Sequence, residues 1–203
     1  TIGHGLGAAP EVVIIKCTTA SENWVMYNKN LGAGKYIFPN TTAAVGPGSG
    51  TNTSYFNNTA PTSSVFSVGN DGGTNNNNGV YVAYCFKEKK GYSKFGKYIG
   101  NGSSDGTFVY TGFKPSWVII KRTDTSDTWT VWDNKRVGYN SANYVIEADN
   151  TNAEASSDRL DILSNGFKLG YNWTPINSSG GTYIYMAFGQ SLVGSNNVPC
   201  TAR

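Results

Sequence analysis

The sequence repeats itself, and this internal repeat constrains the fold more than any other feature of the chain. Four blocks of the first half recur in the same order in the second half: residues 10–16 and 115–121, Trp24 and Trp129, residues 66–69 and 167–170, and residues 79–86 and 181–188. The first block reads PEVVIIK in one half and PSWVIIK in the other. Two homologous units of about 90 residues each are therefore predicted to account for nearly the whole chain of 203 residues.

The predicted organisation is a first β unit at residues 1–90, a structured connector at 91–106 and a second β unit at 107–203. The connector contains Gly-Asn-Gly and Asp-Gly sequences, which favour tight turns. Residues 107–115 resemble residues 1–10, but nothing in the sequence corresponds to a connector before the first unit. We therefore expect a further segment to precede Thr1 in the intact polypeptide.

The composition predicts short strands joined by turns. The chain has 25 Gly, 13 Tyr, 9 Phe and 5 Trp, and only 14% of its residues are charged. Aromatic and β-branched runs bounded by Gly, Asn and Ser are typical of strands. We expect a hairpin at residues 12–27 with an exposed polar tip at 18–23, and its repeat at 117–132 with the tip at 123–128. We also expect central strands at 80–86 and 183–188.

The predicted fold class is all-β: two tandem homologous antiparallel β-sandwich units of jelly-roll or concanavalin-like type, packed as a pseudo-dimer. Trp24 and Trp129 recur at the same strand position, so both are predicted to be core residues. The one helix-like window is residues 147–163, where Ser, Asn and Asp weaken the helical pattern.

Charge and cysteine usage argue against several kinds of partner. The net charge is only +3, and no run of about 18 apolar residues could span a bilayer, so neither nucleic acid nor membrane insertion is expected. The lysines of residues 87–97, interleaved with aromatic residues, fit a solvated sheet edge better than a nucleic-acid site. Cys17, Cys85 and Cys200 have no disulfide or zinc spacing and are predicted to be free thiols of a protein made in a reducing cytoplasm.

No catalytic residue, metal ligand or cofactor is predicted. His4 is the only histidine, and no nucleophile motif accompanies it. The acids of the second unit could support glycoside hydrolysis but fit a solvated face better; they are Glu147, Asp149, Glu154, Asp158 and Asp161. Calcium binding through Asp124, Asp127 or the Asn70-Asp71 loop stays open.

Exposed aromatic and amide side chains are the candidate ligand-binding residues, because an aromatic ring stacks on a sugar while amides bind its hydroxyls. Trp173 has no counterpart in the first unit, which favours a ligand role, although a packing role is the alternative. The predicted set consists of Trp173, Tyr171, Asn172, Asn75 and Asn76.

Several blocks carry a family resemblance: residues 5–16, 60–69, 91–115 and 181–188, with residues 194–203 similar to a family C-terminus. Together they resemble a domain of unknown function in structural proteins of tailed bacteriophages, especially marine and cyanobacterial phages. The resemblance implies the C-terminal part of a longer virion protein, and it carries no catalytic residue.

The resulting expectation is a non-enzymatic module on the exterior of a phage particle, made in the bacterial cytoplasm. It would serve as a tail-fibre or appendage module for receptor binding or adhesion. Its expected partners are other virion proteins, a host surface glycan and further copies of itself in a homo-oligomer. The alternatives are a capsid decoration or oligomerisation module without a receptor, and a polysaccharide depolymerase.

Overall fold

The structure, a computed structural model, describes residues 1–136, 144–156 and 158–190. Nearly all of its regular structure is β, which confirms the predicted all-β class. Its elements are β1 (Ile2–Gly3), β2 (Val12–Cys17), β3 (Val25–Asn28), β4 (Val65–Phe66), β5 (Tyr81–Phe86), β6 (Ser93–Ile99), β7 (Phe108–Tyr110), β8 (Pro115–Arg122), β9 (Trp129–Asp133), β10 (Ile146–Glu147), β11 (Leu160–Leu163), β12 (Gly166–Leu169), α1 (Thr174–Asn177) and β13 (Thr182–Gly189). No helix in the described ranges is long and apolar enough to cross a membrane.

Both halves of the chain contain the same antiparallel three-strand arrangement. The order is β3-β2-β5 in the first half, and β9-β8-β13 forms the middle of a five-stranded sheet in the second. Val13 lies opposite Tyr27 and Cys85. Its aligned residue, Val118, lies opposite Trp132 and Ala187. The register of the two sheets thus pairs residues that are equivalent in the sequence repeat.

The five-stranded sheet, in the order β10-β9-β8-β13-β6, lies between two other layers. One face packs on the sheet β11-β12-β7, and the buried residues there include Val118, Trp132, Tyr183, Phe167 and Leu169. The other face packs on β3-β2-β5, through residues that include Val12, Met26, Trp129, Ile184 and Met186. The two sets alternate along β8 and β13, as period-two burial requires.

A third core covers the outer face of β3-β2-β5. It consists of Val13, Ile15, Val25, Tyr27, Phe56 and Phe66, with Tyr36, Phe38 and Tyr55 packed against it. Phe66 belongs to β4, which pairs with β1 opposite Ile2. The long loops of the first half therefore replace much of the sheet that covers the second half.

Backbone carbonyls join the two halves. The indole Nε1–H of Trp129 donates to Phe38 O at 3.0 Å, and Asp127 N–H donates to Thr42 O at 2.8 Å. Trp129 is fully buried, as predicted. Trp24 is not a core residue; it is only half-buried, outside β3, and stacks on exposed Tyr84 with ring centroids 6.2 Å apart. The two equivalent tryptophans differ in burial because Trp129 packs in the core shared with the first half, whereas Trp24 does not.

The first hairpin tip, residues 18–23, is exposed as predicted. In the second tip, residues 123–128, only 124–126 are exposed, whereas Thr123 and Thr128 are buried. The central-strand prediction is correct for β13, which lies between β8 and β6, but wrong for β5, which is an edge strand of its sheet. The helix-like window is also wrong. It ends in β11, where Leu160 and Ile162 alternate with half-buried residues, so the period is two.

The connector forms a strand rather than turns alone. β6 pairs with β13 over its whole length and forms one edge of the five-stranded sheet. The lysines around it lie beside carboxylates: Lys87 with Glu11 at 2.7 Å and Lys94 with Glu88 at 3.3 Å. These contacts agree with a solvated sheet edge.

Lys121 is fully buried without an ion pair in the described part of the chain. Its ammonium donates to the carbonyls of Arg122 at 2.8 Å and Thr42 at 3.2 Å. Burial lowers the pKa of Lys121 to about 8, although Asp127 and Asp149 partly oppose the shift. The folded protein thus holds this proton less tightly than the unfolded chain does.

We predict that stability rises with pH between about 8 and about 10.4, since in that window the unfolded lysine keeps a proton that Lys121 has lost. The full gain is about 3 kcal/mol. Urea unfolding at several pH values up to about 10 measures it, and Lys121→Met removes this slope. Lys90→Met, at an exposed position, is the control and keeps the slope; equal slopes in the two variants would contradict the prediction.

Candidate functional site

Tyr171, Asn172 and Trp173 lie between β12 and α1, in the second half of the molecule. The Tyr171 side chain is 56% exposed, and Asn172 is also exposed. Trp173 is half-buried: its ring meets Trp132 edge-on at 6.4 Å, and the Arg159 guanidinium lies 4.0 Å from its centroid. Tyr171 is therefore the aromatic residue of this group that is most accessible to a ligand.

Asn75 and Asn76 lie in the exposed loop before β5, in the first half of the chain. The Asn75 amide donates to Gly69 O at 2.7 Å, while Asn76 N–H donates to the Tyr81 hydroxyl at 2.6 Å. Tyr81 packs on the outer core of the first half, whereas Trp173 packs on the second-half core. The structure thus places the predicted ligand residues in two separate groups.

A polar cleft of about 520 Å³ adjoins Tyr171 in sequence. It is lined by Ser104, Asp105, Asp158, Asp161, Lys168, Leu169 and Gly170. Lys168 lies opposite Asp161 on β11 and forms an ion pair with Asp105. The hydrogen bond from Lys168 lowers the pKa of the Asp105 carboxyl. The cleft thus offers carboxylate acceptors and an ammonium donor, which suit the hydroxyls of a polar ligand.

Asn177, in α1, organises the loops of this cleft and was missed by the sequence analysis. It is fully buried, and its amide nitrogen donates to Asn101 Oδ1, Ser103 O and Tyr171 O at 3.1, 2.9 and 3.2 Å. Its Oδ1 accepts Asn101 N–H at 3.0 Å. One side chain therefore ties the connector to the backbone of Tyr171.

The sequence analysis also missed Asp105, Lys168 and Arg159 as neighbours of the predicted site. Arg159 and Lys168 lie on the two sides of the hairpin formed by β11 and β12, whereas Asp105 lies far earlier in the chain, before β7. Pairing of β12 with β7 brings Asp105 to them. The glycine-rich turn at residues 100–106 was the one available signal.

Most of the acids considered for hydrolysis have structural contacts. Asp149 Oδ1 accepts from Thr128 Oγ1 at 2.5 Å and from Trp129 N–H at 3.0 Å. Glu154 pairs with Arg136 at 2.6 Å, and Glu147 accepts from two asparagines at 2.5 and 2.8 Å. Only Asp158 and Asp161 of the five line the cleft.

The other candidate residues also hold the fold locally. The two ring nitrogens of His4 contact Thr62 O at 3.1 Å and Leu6 N–H at 3.2 Å. Asp124 binds Arg122 through two bonds of 3.0 Å, and Asp71 accepts Gly73 N–H at 2.8 Å. The described ranges contain no cluster of three metal-ligating side chains. Cys17 and Cys85 are free thiols, and Cys200 lies outside the described residues.

A second cavity, of about 490 Å³, lies between the two halves. Its lining is mainly apolar and includes Leu31, Val45, Ile99 and Ile184, with Lys35 and Lys97 beside them. This lining is less suited to a hydroxyl-rich ligand than the polar cleft.

We predict that Asn177→Asp destabilises the protein by about 3 kcal/mol, because the buried carboxylate cannot donate and faces the carbonyl oxygens of Ser103 and Tyr171. Chemical denaturation measures the loss. Asn172→Asp, the same change at an exposed position, should cost less than about 0.5 kcal/mol. If the two variants were equally stable, Asn177 would not organise the cleft.

A family model described as "Domain of unknown function (DUF7483)" matches residues 1–191. No curated protein and no solved structure matches the chain.

Proposed function

We propose that this chain, which belongs to the family described as Domain of unknown function (DUF7483), is a non-enzymatic structural module on the exterior of a phage particle. In this proposal it is a tail-fibre or appendage module that binds a host surface glycan. The resemblance of residues 5–16, 60–69, 91–115 and 181–188 to structural proteins of tailed phages supports the virion assignment.

The observation that carries the receptor-binding part is the exposed Tyr171, which directly follows Gly170 of the polar cleft. Its ring can stack on the apolar face of a pyranose, while the Asn172 amide and the carboxylates of Asp158 and Asp161 can accept hydrogen bonds from its hydroxyls. Asn177 holds the Tyr171 backbone, so the ring is presented from an ordered support. Loops held by a rigid sheet scaffold are common binding sites.

The proposal includes the finer architecture, namely two tandem homologous β-sandwich units packed as a pseudo-dimer. The equal strand orders β3-β2-β5 and β9-β8-β13 and their equivalent registers support it. The shared core between the two sheets would then be the unit interface. Attachment to other virion proteins and assembly into a homo-oligomer belong to the same proposal.

The non-enzymatic part is supported by the structural contacts of Glu147, Asp149 and Glu154, which leave them poorly placed for chemistry on a bound glycan. Asp158 and Asp161 are the pair to test for a depolymerase. Incubation with host polysaccharide should release no reducing ends. Release that Asp161→Asn abolishes would overturn the non-enzymatic assignment.

We predict that Tyr171→Ala weakens binding to host-derived polysaccharide at least about tenfold, because it removes the stacking surface. Tyr110→Ala is the matched control: Tyr110 is 64% exposed on β7 and should leave binding unchanged. Glycan arrays and calorimetry with purified polysaccharide measure the effect.

Two outcomes would contradict the receptor role. Equal losses in the two tyrosine variants would indicate nonspecific adhesion. Failure to bind host cells or glycans would favour a decoration or oligomerisation module. Tomography of the assembled particle tests the location, and a position inside the virion would overturn the exterior assignment.

A further inference from the structure

One edge of the first-half sheet, along β5, has backbone groups that pair with no strand in the described part of the chain. Thr18 N–H donates to Val80 O at 2.8 Å, just before β5. The even-numbered residues of β5 therefore direct their backbone N–H and C=O groups towards β2. The register continues this pattern, with Lys16 opposite Val82 and Ile14 opposite Tyr84. The N–H and C=O groups of Tyr81, Ala83 and Cys85 therefore point away from β2, where no described strand pairs with β5.

This free edge lacks the usual protection against another strand. Natural edge strands carry lysine, proline or a bulge that discourages pairing. β5 reads YVAYCF and has neither charge nor proline. Val80, Val82 and Tyr84 are 57%, 39% and 47% exposed, so apolar side chains flank the free backbone. The edge is chemically suited to accept a strand.

The equivalent edge in the second half is occupied. Thr123 N–H donates to Thr182 O at 2.9 Å, the counterpart of the bond between Thr18 and Val80. On the opposite side, Gly100 N–H donates to Gly181 O at 2.9 Å and Gly189 N–H donates to Tyr92 O at 2.6 Å. The odd-numbered residues of β13 thus face β6. The side of β13 that corresponds to the unpaired side of β5 is therefore occupied by β6.

We propose that the free edge of β5 binds an antiparallel strand with the sequence pattern of β6, supplied by a polypeptide segment other than residues 1–203. None of the described strands is left to supply it, because each already has its place in a sheet. This interaction goes beyond glycan binding and does not depend on it. It is a case of β-strand addition, in which backbone bonds provide affinity and alternate side chains provide specificity.

The pattern of β6 fits the surroundings of β5. Phe95 lies opposite Met186, whose counterpart on β5 is Tyr84, so an aromatic residue of the incoming strand would pack beside Tyr84. Gly96 lies opposite Tyr185, and a Cβ there would come within 2.6 Å of the tyrosine ring. The counterpart of Tyr185 is the small Ala83, so the incoming strand can carry a side chain at that position.

The test uses a fluorescent peptide of residues 91–101 (GYSKFGKYIGN) and the full 203-residue chain, with binding followed by anisotropy. We expect saturable binding. Ala83→Pro should weaken it at least about tenfold, because proline removes an outward N–H without breaking a bond to β2. Ala83→Ser keeps the N–H and should bind the peptide as the wild type does.

The same bond can be tested from the peptide, should Ala83→Pro fail to fold. Peptide Gly96→Pro removes an N–H that faces the acceptor strand and should abolish binding, whereas in peptide Lys97→Pro the lost N–H faces away, so this peptide should still bind. The proposal is overturned if the wild-type peptide does not bind the chain. It is also overturned if the Ala83→Pro chain binds the peptide as tightly as the wild-type chain does, because the peptide would then bind β13 by displacing β6. It is also overturned if the chain self-associates through β5 and excludes the peptide, because a second copy would then be the occupant.

Discussion

Burial of the five-stranded sheet on both faces is the constraint on which the rest of the structure depends. Along β13, Tyr183, Tyr185 and Ala187 enter one core, while Ile184 and Met186 enter another. A shift of register by one residue would exchange the two sets and misplace every ring. Two flanking sheets of different shape are thus aligned by the side-chain alternation of a single strand.

Repetition of the same strand pattern has produced two environments. The outer core of the first half is closed largely by loops, and that of the second half by β11, β12 and β7. Equivalent positions consequently differ in residue type or in burial: Ala83 corresponds to Tyr185, and half-buried Trp24 corresponds to buried Trp129. The first-half sheet ends at β5, whereas the second-half sheet continues to β6. The halves therefore share topology but present different surfaces, and both proposed interactions use the surfaces on which they differ.

The polar cleft depends on the same scaffold. Pairing of β12 with β11 and β7 brings Asp161, Lys168 and the loop of Asp105 together, and buried Asn177 holds that loop against Tyr171. The sequence pointed to Tyr171 and Asn172 because the loop after residue 170 lacks a counterpart in the first half. It did not point to Asn177 or Lys168, since an asparagine or lysine reveals its partners only once distant segments meet. Trp173 illustrates the same limit: the stacking of Arg159 on its ring could not be read from spacing.

The residue pattern was enough to establish the all-β class and the positions of β2, β3, β8, β9 and β13, because short aromatic and β-branched runs recur in both halves with turn residues between them. The structure adds that the equivalent strands of the two halves pair in an equivalent register. Tertiary structure alone decided that β13 is central and β5 an edge, that Trp129 is buried and Trp24 is not, and that residues 160–163 form a strand. The physical reason is that strand formation follows from local residue pattern, whereas burial and the number of neighbouring strands depend on segments that lie far away in the chain.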